Sequence, residues 1–171
     1  NLLYKYGNEH QKNTFLPKLA SGKSLGSFSL SEPQSGSDAS NMKTFARRVS
    51  SDFVINGTKN WVTNGTSSDI VILLCLTKKN VGYKGISAFI MEKTFDGLTT
   101  GNKENKLGIR GSDTCEIYFD NCKVPSKNLI ASEGEGFKIA LDILNGGRIG
   151  IATQALGIAQ ESLDLSLIHI S

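Results

Sequence analysis

One tryptophan, two histidines and three prolines are all that occur of these types in 171 residues, and the three cysteines form no CxxC pair. Histidines as far apart in the chain as His10 and His169 give no basis for a metal site or a catalytic dyad. An odd set of cysteines (Cys75, Cys115, Cys122) argues against a disulfide or zinc framework and fits a reducing compartment. Cys75 lies in an apolar run and is expected to be plain core. That run, Ile70 to Leu76, is the longest in the chain. It falls far short of the roughly 20 residues that a membrane-spanning helix needs, so no membrane insertion is expected. Charge of one sign is also scarce, the formal net charge being +3. Arg47-Arg48, Lys78-Lys79 and the Lys103 to Lys106 run read as solvated loops and strand edges, with no basis for nucleic-acid binding.

What is present is the composition of an ordinary globular protein of one or two domains. Both ends read as cut. The chain begins at Asn1 without a methionine or targeting segment, and it ends in LSLIHIS, Leu165 to Ser171. That heptapeptide resembles the translation of a transposase adapter used in sequencing libraries, and is expected to lie outside the natural fold.

Asn8 to Ala20 reads as a helix, with Asn8 as cap and Gln11 three residues on as its capping-box partner. Pro17 is expected to bend or restart it, and Gly22 to end it. From Leu25 the pattern changes to strands: Leu25 to Leu30, Met42 to Val49, Phe53 to Ile55, Lys59 to Thr63, Ile70 to Thr77, Ile86 to Glu92 and Thr114 to Asp120. Asn56-Gly57 between two of them is a strong hairpin signal. Seven strands at this spacing suggest a β-barrel or sandwich, which Val124-Pro125 closes. SEGEG, Ser132 to Gly136, leads into a long helix. Phe137, Leu141, Leu144, Arg148, Ile151, Ala155 and Ile158 share one face of it. An arginine on that apolar face calls for a partner, because a buried guanidinium is costly alone. Gly146, Gly147, Gly150 and Gly157 each cost the helix about 1 kcal/mol relative to alanine, a cost tolerated where a ligand or another segment must come close.

Two segments carry the chemistry. LSEPQSGSD, Leu30 to Asp38, is a strand end running into a Gly/Ser turn. NWVTNG, Asn60 to Gly65, holds the single tryptophan, with Thr63 two residues later on the same strand face. Hydroxyls and backbone amides of this kind suit the edges and phosphates of a flat polar cofactor, and an indole suits its ring face. Taken singly, Trp61 is more often a core residue, and Ser31, Ser37 and Thr63 are ordinary turn or strand residues. The order of the motifs carries the reading.

The chain resembles the acyl-CoA dehydrogenases, most closely their short-chain (butyryl-CoA) or short/branched-chain branch. The resemblance rests on LSEPQSGSD, NGTKNWVTNG, NKLGIRGSDTCEIYFDNCKVP and GFKIALDILNGGRIGIATQALGIAQ, in that order, and covers about Leu2 to Asp164. It implies an α+β fold with a central antiparallel β-barrel-like domain flanked by helices. Residues 1–24 would end an N-terminal helical domain, 25–131 form the middle β-domain, 132–164 start a C-terminal helical domain, and 165–171 be the adapter-derived tail. It also implies FAD as cofactor, bound by Phe28, Leu30, Ser31, Gly36, Ser37, Trp61, Val62 and Thr63. Ser37, Asn145, Gly146, Gly147 and Arg148 would contact an acyl-CoA substrate.

The implied reaction is α,β-dehydrogenation of an acyl-CoA thioester, with electrons passed to an electron-transfer flavoprotein. The implied assembly is a homotetramer, in the mitochondrial matrix of a eukaryote or the cytoplasm of a bacterium. No catalytic residue is assigned within the chain. Some family members carry the proton-abstracting glutamate immediately before the helical arginine, where this chain has Gly147. Glu32 is expected to support its loop by accepting backbone hydrogen bonds. Gln34 stands where the family usually has glycine, and Asn145 where short-chain members often have aspartate. A non-catalytic flavin- or acyl-CoA-binding module and an acyl-CoA oxidase stay open as alternatives.

Overall fold

The structure is a computed structural model, and it describes residues 1–170. Residues Asn1–Ile139 form one compact unit, and a second begins at Ala140.

Helices α1 (Leu2–Tyr6) and α2 (Glu9–Ala20) open the first unit. The expected capping box is present. The Asn8 side chain accepts from the Gln11 amide at 2.9 Å, and Gln11 returns the bond to the Asn8 N–H at 3.1 Å. The same Gln11 side chain is buried and donates 2.8 Å bonds to the carbonyls of Lys127 and Leu129, tying α2 to the chain after the last long strand. Pro17 does not restart α2, which runs as one helix through Ala20. Gly22, at φ +71°, terminates it as expected.

Eight strands follow: β1 (Gly26–Ser29), β2 (Phe45–Val49), β3 (Asp52–Thr63), β4 (Ile70–Leu76), β5 (Ile86–Glu92), β6 (Leu98–Thr100), β7 (Thr114–Val124) and β8 (Leu129–Ile130). They form one sheet in the order β6-β7-β3-β2-β4-β5-β8, with β1 added on β4. The α+β class holds. The sheet differs from the expected barrel-like antiparallel domain in two ways. It is not closed, since β6 and β8 end the path without pairing to each other, and it is mixed, since β1 and β2 both run parallel to β4. Alternation and strand count do not encode closure; pairing partners do.

Asn56-Gly57 makes no hairpin. Both residues lie inside β3, at a register shift against β7. Gly57 sits at φ +146°, where a Cβ would come within 2.4 Å of Thr44 Oγ1. The glycine therefore serves a close strand approach, and the β2–β3 turn falls on Ser50-Ser51, with Ser50 at φ +54°. Val124-Pro125 does not close the sheet either, because β8 follows and pairs with β5. The short strands β6 and β8 carry too few residues to show alternation.

The core is the cluster of Ala46, Phe53, Ile55, Val71, Leu73, Cys75, Phe89, Met91, Ile117, Phe119 and neighbours. The continuous apolar runs of β4 and β5 are buried at six of seven positions each, as expected for strands covered on both faces. Burial pushes the Cys75 thiol up to about 12, so it behaves as plain core.

The second unit is the continuation of α3 (Gly136–Ile170), whose described residues from Asn145 onward are all exposed. Among the described residues no helix is long and apolar enough to cross a membrane.

Candidate functional site

The two motif segments meet in the first unit. β1 ends at Ser29, and the chain turns through a tight loop in which Glu32 and Ser35 exchange backbone hydrogen bonds of 2.9 and 3.0 Å. Beside it the Asn60 N–H donates to the Ser31 carbonyl at 2.9 Å. Ser31 and the start of NWVTNG are thus neighbours although 29 residues separate Ser31 from Asn60 in sequence.

The conformation of β3 at this point decides what is displayed. Phe53, Ile55 and Lys59 point inward and are buried. Strict alternation would turn Trp61 inward too. A bulge between Lys59 and Val62 prevents this. Trp61 takes φ +57°, its N–H caught by the Asn60 side-chain oxygen at 2.8 Å. A bulky residue in that region costs about 1–3 kcal/mol, a strain that clusters at functional sites. As a result the indole is 62 % exposed, Val62 is buried and Thr63 is exposed. Trp61 and Thr63, expected on one strand face, are both exposed, with Val62 buried between them.

The other end of NWVTNG is pinned as firmly. Asp113 accepts from the Thr66 N–H at 2.7 Å and the Ser67 hydroxyl at 2.8 Å, and its own carbonyl accepts from Asn64. Burial acts to raise its carboxyl, but these donors outweigh it and hold the group below the usual range. Lys93 Nζ donates to the Thr66 carbonyl. Gly65 has no room for a side chain, since a Cβ there would lie 2.6 Å from Cys115 Sγ.

Beneath the meeting point lies a residue that the motif reading passes over. Lys59 is fully buried, and its Nζ donates to Glu32 Oε1 and to the Leu30 carbonyl, both at 2.8 Å. Glu32 performs the expected loop support, accepting from the Lys43 and Thr44 N–H groups at 2.6 and 3.1 Å, and also from Gln34 Nε2 at 2.6 Å. Burial acts to raise its carboxyl, yet the Lys59 charge and these donors hold it below the ordinary carboxylate range. Burial draws the Lys59 ammonium below its usual range, against the attraction of Glu32. The signal in the sequence is a lone lysine at an inward position of an alternating strand, two residues before the tryptophan.

Gln34, at the family's usual glycine position, thus has a definite partner in Glu32, and it is not among the residues at positive φ. Gly36 and Ser37 are exposed in the same loop, and a Cβ at Gly36 would meet nothing within 4 Å. Phe28 and Leu30 are half-buried. Among the described residues no protein group bonds the hydroxyls of Ser31, Ser37 or Thr63. An exposed indole, three uncommitted hydroxyls and an open glycine turn fit a flat, phosphate-bearing cofactor. Among the described residues no cluster of three metal-ligating side chains exists.

Asn145, Gly146, Gly147 and Arg148 lie on α3 in the second unit. They are exposed there, and Arg148 Nη1 donates to Asn145 Oδ1 at 2.9 Å, one turn away. The arginine is therefore not a buried cation in need of an acid. A Cβ at any of Gly146, Gly147, Gly150 or Gly157 would meet nothing within 4 Å, which leaves this helix surface open.

Comparison with known proteins gives a consistent picture. Residues 27–122 match the family described as acyl-CoA dehydrogenase, middle domain. An acyl-CoA dehydrogenase of Bacillus subtilis is 51 % identical over 164 residues, which cover 96 % of this chain and 43 % of that protein. The acryloyl-CoA reductase (NADH) of Anaerotignum propionicum is 45 % identical, over 98 % of this chain and 43 % of its own length. Among solved structures, butyryl-CoA dehydrogenase from Megasphaera elsdenii superimposes with a TM-score of 0.90 at 46 % identity, over 94 % of this chain and 42 % of that one. The chain thus spans well under half the length of the relatives it matches.

Proposed function

Because the chain belongs to the acyl-CoA dehydrogenase family, we propose that it forms the flavin-facing part of an enzyme that desaturates short-chain acyl-CoA thioesters to trans-2-enoyl-CoA. The observation that carries this is Trp61, held exposed at φ +57° beside the Ser31 loop, with the hydroxyls of Ser31, Ser37 and Thr63 uncommitted.

FAD, when bound, would supply the hydride-accepting chemistry. The residues of this chain bind and orient it. The Trp61 indole covers one ring face and excludes water from it. Phe28, Leu30 and Val62 border the site through backbone and apolar groups. Ser31 and Thr63 offer hydroxyls to the polar ring edge, and the Gly36-Ser37 turn lets backbone and hydroxyl approach the phosphates and the acyl-CoA arm. On α3, Asn145 to Arg148 serve the substrate. Gly147 carries no side chain, so the base that removes the Cα proton is assigned to a glutamate outside this chain. The electron acceptor is an electron-transfer flavoprotein and the assembly a homotetramer, located in the mitochondrial matrix of a eukaryote or the cytoplasm of a bacterium. Residues 1–24, 25–131 and 132–164 would belong to the N-terminal, middle and C-terminal domains, and 165–171 to an adapter-derived tail.

A second reading, reduction of an acryloyl-type double bond, is favoured by the likeness to the Anaerotignum reductase. The same surface serves either direction. Steady-state assays of the full-length protein separate them: butyryl-CoA-dependent reduction of a dye supports the first reading, and NADH-dependent consumption of acryloyl-CoA without dye reduction supports the second.

Trp61→Ala in the full-length protein tests the flavin surface. Aromatic stacking is worth roughly 0.5–1.5 kcal/mol beyond area burial, so FAD retention on dialysis should fall. Unchanged retention would remove Trp61 from the site.

A further inference from the structure

The buried Lys59–Glu32 pair has no role in the chemistry proposed above, and stability alone does not account for it. A buried ion pair is commonly replaced by apolar residues with no loss of stability, because its attraction barely repays the desolvation of two charges. Here the pair is nearly complete in its burial, 0 % and 2 % exposed. Its placement is the informative feature. Glu32 follows Ser31 directly. Lys59 directly precedes the Asn60-Trp61 bulge. Lys59 Nζ bridges the two segments, bonding the Leu30 carbonyl and Glu32 Oε1 at 2.8 Å each. Glu32 in turn gathers the Lys43 and Thr44 amides at the start of β2. Among the described residues, one backbone bond, Asn60 N–H to the Ser31 carbonyl, otherwise joins the two segments at this point.

We infer that Lys59 and Glu32 are positioning residues for the flavin surface, holding the Leu30-Ser31 backbone against the Asn60-Trp61 bulge so that the Ser31 hydroxyl and the Trp61 indole act as one rigid platform. The inference rests on the flavin reading above. A site on a strained bulge needs such support, because first-contact groups keep their geometry only when the groups behind them are locked. An apolar pair would fill the same space. It would offer no donor to the Leu30 carbonyl and no charged acceptor to the β2 amides, so the loop and the bulge would move independently.

The test uses the full-length protein, with Lys59→Met, Glu32→Gln and the double variant. Each is scored for cooperative thermal unfolding of the apoprotein, for FAD affinity by titration, and for residual fluorescence of the bound flavin, which a stacked indole quenches. Single variants strand one buried charge and should unfold earlier. The double variant removes both charges and should unfold cooperatively near the wild-type temperature. Its FAD Kd should nonetheless rise by about tenfold or more, the order of effect seen when the groups that orient a metal's ligands are removed, and its bound flavin should be brighter. A double variant that is folded and binds FAD with wild-type affinity and quenching would overturn the inference. So would a double variant that does not fold, since the pair would then be holding the core instead of the site. A wild-type protein that takes up no FAD would overturn the flavin reading itself, a result distinct from either.

Discussion

At the scale of single residues, Arg148 shows how little a position on a helical face says about burial. Its guanidinium is exposed and bonded to Asn145 one turn back. It sits beside two glycines that leave the helix surface open. Arg148→Lys keeps the charge and loses the fork, which is not a conservative change where two parallel bonds are made. In the full-length protein, turnover of short acyl-CoA should fall by at least about tenfold, read as kcat/KM at unchanged flavin content. Wild-type kinetics would leave Arg148 as a solvated side chain. Trp61 is the opposite case. The motif singled it out, but its exposure depends on a left-handed backbone that no propensity predicts for tryptophan.

At the scale of elements, β3 is the decisive strand. It has two irregularities, one after Ile55 and one after Lys59. The first uses Gly57 to let Thr44 approach, and the second turns Trp61 outward. Asn-Gly reads as a hairpin because both residues tolerate positive φ; here that tolerance serves a bulge inside a twelve-residue strand. Gly57→Ala should therefore destabilise the protein by about 1–3 kcal/mol, through strained φ and overlap with Thr44, measured as a lower denaturant midpoint. A midpoint unchanged from wild type would mean that β2 can yield at Thr44 without loss. The capping box of α2 was legible to the residue because it is local, three positions apart. The bonds from Gln11 to Lys127 and Leu129 were not, because they span more than a hundred residues.

At the scale of the whole molecule, acid should reveal the buried pair. Glu32 has a carboxyl held below its ordinary range in the folded state. The unfolded chain therefore takes up its proton first as pH falls. The stabilisation is complete above the ordinary carboxylate range and is lost progressively as pH drops through that range and below it. Asp113 acts in the same direction. Thermal unfolding from pH 7 to pH 3 should show a falling midpoint in the acid range, with a shallower slope in the Glu32→Gln/Lys59→Met variant. Equal slopes would mean that other carboxylates dominate. By itself the 171-residue chain should not turn over butyryl-CoA with a dye acceptor, because the proposed base is a glutamate outside it. Turnover above the no-enzyme rate would locate the base inside it.

Sequence by itself determined the parts that depend on neighbours in the chain or on pattern. These are the α2 cap and its stop at Gly22, the buried β4 and β5 runs, the long α3, and the family that the four ordered motifs resemble. It also placed Trp61 and Thr63 on one strand face, since they stand two residues apart, and both are exposed. Tertiary structure alone decided the rest. The parallel pairings of β1 and β2 with β4, and the open edges at β6 and β8, follow from competition among strands far apart in sequence. Local alternation carries no record of that competition. The meeting of Ser31 with Asn60, and the buried bond from Lys59 to Glu32, likewise exist only once β1 and β3 are brought together. A lysine and a glutamate 27 residues apart read as two surface charges until the fold removes water from between them.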